Sequence, residues 1–260
     1  MNSTAIGWAG VVSSTLLVAV ALALSFWQRL HLTRSILWSV ARAAVQLFLV
    51  GFALRLVLDP RASVWWAWLW VVIMITFAGV TIRSRAKEVP GILLLGTVSM
   101  LSVVVVSLSV IFGFGIFPLE GRTIVPLAGM MIGNSMTACV LVGRRIVDEF
   151  SDKRDEIEAR LALGLPWSEA ARPYVRSALR TALIPQIEST KAVGLVFLPG
   201  AMTGLVLAGV DAVDAVTVQL AIMYLILGSV ATSVTVIGLG LTRRLFTSDH
   251  RLLAVARQSH

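Results

Sequence analysis

Apolar residues run along this chain in long blocks, separated by short stretches where arginine, lysine and acidic residues gather. A helix needs about 20 predominantly apolar residues to cross the roughly 30 Å hydrocarbon layer of a bilayer. Seven blocks meet that length, near 5–27, 36–58, 64–82, 91–113, 122–143, 183–209 and 215–240. Each is predicted as a helix, because lipid offers the backbone no hydrogen-bond partner and a helix satisfies its own. The first block is read as an uncleaved span. It is too long for a signal peptide, lacks a basic leading region and has no small-residue cleavage site at its end. The longest polar interval, 144–182, interrupts what otherwise reads as one transmembrane domain over 1–260.

Composition agrees with an all-α membrane protein of about seven helices. Hydrophobic residues make up 57% of the chain and charged residues 14%, against about 25% charged in an average soluble domain. The net charge of +8 is unevenly placed. Arg29 and Arg34 follow the first block, and Arg83, Arg85 and Lys87 follow the third. Arg144, Arg145, Lys153, Arg154, Arg160, Arg172, Arg176 and Arg180 fill the long interval, and Arg243, Arg244, Arg251 and Arg257 the tail. The alternate loops hold only Arg61, Arg122 and the pair Asp211 and Asp214. The positive-inside rule then puts the N-terminus outside and the C-terminus in the cytoplasm. Basic loops facing anionic lipid headgroups account for the charge, and no soluble domain is expected that would carry it to a nucleic acid. Trp65, Trp66, Trp68 and Trp70 cluster at the outer end of the third block, and Trp27 and Trp38 flank the first basic loop, as interfacial belts do.

Enzymatic chemistry finds little support. Cys139 is alone and lies inside a span, and His31, His250 and His260 are far apart in sequence. No HExxH, CxxC or nucleophile–histidine–carboxylate pattern occurs, nor a phosphate-binding GxxxxGK[ST] loop. Uphill transport driven by ATP would need its ATPase on another chain.

Polar residues within the apolar blocks carry more information, because each charge costs about 2.5–3.5 kcal/mol at a helix centre on insertion scales. Arg42 and Gln46 lie four apart, on one face of the second span; Arg42 either pairs inside the bundle or snorkels to the headgroups. Glu188 and Lys191, three apart, share a face near the start of the sixth span. They neutralise each other, pair with Arg42, or contact cargo. Pro199-Gly200 predicts a break or sharp kink in that span, of the kind transporters place around midplane sites. Gly200 and Gly204, with Met202 between them, form a small-residue face, as do Gly129 and Gly133 ahead of Asn134, Ser135, Met136 and Thr137. Tight helix packing and a transport route lined by these residues both fit.

Several ordered motifs together resemble the FetB family. They are Met131-Ile-Gly-Asn-Ser-Met136, Glu158-Ala-Arg-Leu-Ala-Leu-Gly164, Ile184-Pro-Gln-Ile-Glu-Ser-Thr-Lys-Ala-Val-Gly194, Leu198-Pro-Gly-Ala-Met-Thr-Gly204 and Leu207-Ala-Gly209, preceded by Arg42-Ala-Ala-Val-Gln-Leu47. That family comprises the membrane subunits of bacterial iron-exporting ABC transporters and is related to plant aluminium-tolerance permeases. The chain departs from the family pattern at Ala201 and Leu205, where methionine and glutamine are usual, and in Val210–Asp214, where a proline is missing.

The resemblance implies a permease without enzymatic activity, made of two copies of this chain with two copies of a cytosolic ABC ATPase that binds ATP and Mg. It implies residence in the bacterial cytoplasmic membrane and no cofactor on this chain. A coupling helix near Glu156–Gly164, inside the cytoplasmic segment 144–182, would dock on the ATPase. Glu158 and Ala159 belong to its motif, with Leu161, Leu163 or Leu165 as anchors and Gly164 as its end. Met131, Asn134, Met136, Glu188, Lys191, Pro199, Gly200, Met202 and Gly204 are the candidates for the cargo route. Iron export is the implied function. Methionine favours soft ions whereas iron favours carboxylate, imidazole or water, so export of an organic or conjugated solute, and a stand-alone secondary transporter using Glu188, stay as alternatives.

Overall fold

A computed structural model describes residues 8–57, 63–247, 249 and 251–253. Arg61, His250, Arg257 and His260 lie outside the described residues, as do the ends of the first two expected spans at 5–7 and 58. The described residues form ten helices and no strand beyond two isolated bridges. The chain divides into two compact units, Met1–Ala62 and Ser63–His260.

The first unit pairs α1, Trp8–Trp27, with α2, Thr33–Val57. Leu30 N–H closes the end of α1 on the Ser25 carbonyl at 2.9 Å. Arg29 and His31 then adopt left-handed backbone, with φ of 52° and 55°, which turns the chain into α2. Thr33–Phe52 of α2 is long and apolar enough to cross a membrane, and α1 carries a shorter apolar stretch, Val12–Trp27.

The second unit contains α3 (Val64–Arg85), α4 (Ile92–Gly113), α5 (Gly121–Asp152), α6 (Arg154–Ala162), α7 (Trp167–Ala170), α8 (Arg172–Ala192), α9 (Gly200–Leu207) and α10 (Ala212–Arg244). Helices α3, α4, α5 and α10 are each long and apolar enough to span a bilayer. With α2 they make five such helices among the described residues. α10 packs against α4, α5, α8 and α9, and α3 against α4 and α5. Lipid is as apolar as leucine, so close packing and hydrogen bonds must hold the helices together. Small residues permit both: Ala78, Gly79, Gly96, Ala128 and Gly238 are buried at the contacts. A Cβ placed on Gly238 would meet Leu179 Cδ2 of α8 at 2.5 Å. At the meeting of α4, α5 and α10, Ser99 Oγ donates to the Ser233 carbonyl at 3.2 Å and lies 3.4 Å from Cys139 Sγ.

Two elements depart from the sequence pattern. α5 continues beyond the expected end of its span to Asp152, because Ile146, Val147 and Phe150 still face the core and Arg145 pairs with Glu149 one turn on, at 2.9 Å. The expected sixth span over 183–209 is two helices. α8 starts at Arg172 and runs through Pro185, then stops at Ala192, where Gly194 adopts φ +89°. Residues 193–199 form a non-helical link with a bridge between Val193 and Phe197, and Pro199 caps α9. The interruption therefore begins several residues before Pro199-Gly200, and the left-handed glycine rather than the proline ends the first helix.

Candidate functional site

The polar interval folds into a cap on the basic end of the second unit, built by side chains that tie each piece to the next. Arg144 donates from Nε to Glu88 Oε1 at 2.6 Å and from Nη2 to the Arg85 carbonyl, holding the α3–α4 turn against α5. Glu149, one turn further along α5, receives Arg145 at 2.9 Å and the Ser177 hydroxyl of α8 at 3.0 Å. Ile157 is fully buried and anchors α6. Glu156 accepts from Lys153 Nζ at 2.8 Å and from the Tyr174 hydroxyl of α8 at 3.0 Å.

Those contacts set the local ionisation. Hydrogen bonds from Lys153 and then Tyr174 hold the Glu156 carboxyl below the usual carboxylate range. The hydrogen bond to Glu156 raises Lys153. Burial, and then its donation to Glu156, raises Tyr174. All three stay in the forms that hold the cap together at neutral pH.

α6 ends where the sequence motif places glycine. Gly164 has φ +87°, its N–H donates to the Leu161 carbonyl at 2.9 Å, and Leu165 N–H reaches back to Arg160 at 3.3 Å. These two bonds form a Schellman motif, which a left-handed glycine makes at little steric cost. Ahead of this glycine, Glu158, Ala159 and Leu163 are exposed, Leu163 to 84%. Arg154 pairs with Glu158 at 2.7 Å. Leu161 and Leu165 are half-buried.

The chain after α10 closes over this cap. Phe246 is buried, meets Phe150 edge-on at 5.8 Å between ring centroids and stacks on Trp167 at 5.7 Å. Leu253 N–H bonds the Leu245 carbonyl at 2.9 Å, and Arg154 donates to the carbonyls of Leu252 and Leu253, each at 3.3 Å. α5, α6, α7, α8 and α10 thus share one set of contacts. The sequence pattern does not single out Tyr174, Ser177 or Phe246. Tyr174, one of only two tyrosines in so apolar a chain, was the available signal.

The candidate route residues fall in different surroundings. Met131 is 1% exposed within the core of the second unit, whereas Asn134 is exposed and donates to the Met130 carbonyl of its own helix at 2.7 Å. Met136 is half-buried. Glu188 and Lys191 form an ion pair at 2.9 Å, and both side chains are largely exposed. Pro199 and Met202 are half-buried, with Gly200 and Gly204 exposed, and Met202 N–H donates to the buried Gln219 Oε1 of α10 at 3.2 Å. Within the first unit, Arg42 and Gln46 are both exposed on α2. Among the described residues no three His, Cys, Asp or Glu side chains gather as a metal site.

A bundle of apolar spanning helices, with small-residue contacts and a hydrogen-bonded polar cap at one end, defines a multi-pass membrane protein. The chain belongs to the family described as "Uncharacterised protein family (UPF0014)", which matches residues 8–246. It is 36% identical to the UPF0014 membrane protein STAR2 of Oryza sativa subsp. japonica over 88% of this chain and 80% of that protein. It is 33% identical to the probable iron export permease protein FetB of Escherichia coli over 97% of both chains. The Arabidopsis thaliana protein ALUMINUM SENSITIVE 3 is 31% identical over 85% of this chain and 81% of its own length. No solved structure matches the chain.

Proposed function

We propose that this chain is the permease subunit of an ATP-driven exporter, energised by a separate cytosolic ATP-binding subunit that carries ATP and Mg. Two copies form the pathway in the bacterial cytoplasmic membrane, with the N-terminus outside and the C-terminus and α6 in the cytoplasm. One observation carries the reading. α6 is a short helix with a defined end, anchored on its inner side by Ile157, with Ala159, Leu163 and the Arg154–Glu158 ion pair on its exposed side. A helix of that kind gives an ATPase an exposed apolar anchor ringed by charge.

The cap supplies the transmission. A push on α6 acts on α8 through Glu156 and Tyr174, and on the chain after α10 through Arg154. α8 leads to the Glu188–Lys191 pair and then to the non-helical link at 193–199. Non-helical backbone at membrane depth is tolerated where it lines a cavity or is buried in protein, which supports this segment as the part of the route that changes between inward and outward access.

The proposed cargo is iron or another metal, supported by the likeness to the probable iron export permease protein of Escherichia coli. A second reading, export of a chelated metal or a small organic solute by the same machinery, is favoured by the lack of a three-ligand cluster among the described residues. The test is to isolate the tagged protein from its native host. A stoichiometric ATP-binding subunit is the expected companion, and Leu163→Asp should release it while leaving membrane insertion unchanged. No such subunit in several detergents would overturn the reading in favour of a stand-alone transporter.

A further inference from the structure

Beside the cap, α7, α8 and α10 line an open cavity of about 570 Å³, with Trp167, Arg172, Arg176, Leu179, Leu239 and Arg243 among its lining. Its lining mixes charged and apolar side chains. Arg172 and Arg176, one turn apart on α8, and Arg243 of α10 all line it, together with Ser168 and with Thr242, whose buried hydroxyl donates to the Gly238 carbonyl at 2.6 Å. Val175, Leu179 and Leu239 supply its apolar lining, and Leu239 is 63% exposed on α10, which is long and apolar enough to span a bilayer. Leu179 is also the side chain that fills the close approach of α8 to Gly238.

The charge of the cavity is unbalanced. Among the described residues none of Arg172, Arg176 and Arg243 has an ion pair, although five other basic side chains of this unit are paired with glutamates. Glu169, the nearest carboxylate in sequence, does not line the cavity. Three guanidiniums brought together without a counter-ion repel one another, and a phosphate matches their fork geometry. The apolar side chains lie toward the spanning part of α10, so the ligand should carry a hydrocarbon tail in the same molecule as its phosphate.

We propose that this cavity is a binding site for one anionic phospholipid, with its phosphate held by Arg172, Arg176 and Arg243 and an acyl chain along Leu179 and Leu239. Basic pockets between spanning helices are known to hold lipid headgroups by this chemistry. The site lies apart from the outward face of α6 and does not depend on which solute is transported. Because α8 and α10 form its walls and α8 also carries the bond to Glu156, a bound lipid would brace the cap.

The test is native mass spectrometry of the full-length protein released from nanodiscs containing equal phosphatidylglycerol and phosphatidylcholine. Wild type should retain one phosphatidylglycerol in preference to phosphatidylcholine, and Arg243→Gln and Arg172→Gln should each lower that retention about fivefold. Leu239→Trp, which adds bulk to the apolar lining at an exposed position and leaves every charge in place, should lower it as well. Retention unchanged in all three variants would overturn the proposal. Displacement of the lipid by soluble glycerol phosphate at equal concentration would also overturn it, and assign the site to a free phosphate.

Discussion

Phe246 stacks on Trp167 with ring centroids 5.7 Å apart, so the segment after α10 is clamped to α7, the short helix that follows α6. The contact joins the end of a spanning helix to the polar cap through side chains rather than through backbone. Phe246 also meets Phe150 of α5, which is 1% exposed. Three elements therefore converge on one ring.

Truncating that ring should loosen the cap as a unit. Phe246→Ala is expected to cost about 3–5 kcal/mol, the usual range for removing a buried phenyl group. Phe246→Leu should recover most of it. Thermal unfolding in detergent measures the difference, and limited proteolysis should find α6 and α7 cleaved faster in the alanine variant. An unaltered proteolysis pattern would mean that the cap stands without the clamp.

Gly238 and Gly228 lie on the same helix and separate two effects of added volume. A Cβ on Gly238 meets Leu179, while nothing lies within 4 Å of a Cβ on Gly228. Gly238→Val should destabilise by about 1–3 kcal/mol through overpacking, and Gly228→Ala should be neutral or slightly stabilising because alanine is the better helix former. Equal effects in the two variants would show that α8 and α10 do not approach so closely.

Much of this architecture was legible from hydropathy because the bilayer imposes a length that soluble folds do not. α3, α4 and α10 match their apolar blocks within a few residues, and the Gly164 stop was legible because the residue type itself serves the left-handed turn. What stayed hidden was carried by amphipathic helix outside the apolar blocks. Phe150 and Ile146 extend α5 by a face, not by a run, and the start of α8 at Arg172 lies among arginines that hydropathy reads as loop. Glu188 and Lys191 were placed on one face by their spacing, and they do pair. The cap contacts of Tyr174, Ser177 and Phe246 link residues 18 to 96 positions apart along the chain, and no local pattern encodes them.

Protection of α6 should have a pH optimum. Glu156 is held below the usual carboxylate range, so its contribution is complete above the unfolded pKa and is lost as pH falls through the folded value. Lys153 and Tyr174 are raised, so theirs are complete below their unfolded values and lost as pH rises through the folded ones. The protection factor of the α6 amides, exchange corrected for its intrinsic pH dependence, should therefore be highest across the neutral range and fall on both sides. Tyr174→Phe should speed exchange throughout and move the acid limb toward higher pH. An acid limb that stays where it is would show that Tyr174 does not stabilise the ionised Glu156.

Gly164→Val tests the end of α6. A β-branched residue at φ +87° carries about 1–2 kcal/mol of backbone strain and should displace the turn that positions Leu163. With the proposed ATPase present, ATP hydrolysis should continue while transport is lost, and membrane insertion should stay normal. Gly164→Asn, which tolerates the left-handed region better, should retain more transport. Wild-type transport in the valine variant would remove α6 from the coupling path.

Glu188 and Lys191 pose the same question inside the proposed route. Each is largely exposed within the second unit, and an ion pair so placed in water would contribute about 0–1 kcal/mol. In a membrane setting, an unpaired charge costs about 2.5–3.5 kcal/mol at mid-depth, so removing one partner should be worse than removing both. Lys191→Ala should therefore reduce folded yield and transport more than the double variant Glu188→Ala, Lys191→Ala. The double-mutant cycle isolates the coupling because the two side chains touch directly. If the losses simply add, each charge works alone, and a carboxylate at Glu188 that binds cargo or a proton becomes the better account. Restoration of yield without transport in the double variant would assign the pair both roles: mutual neutralisation for insertion, and a charged surface that transport requires.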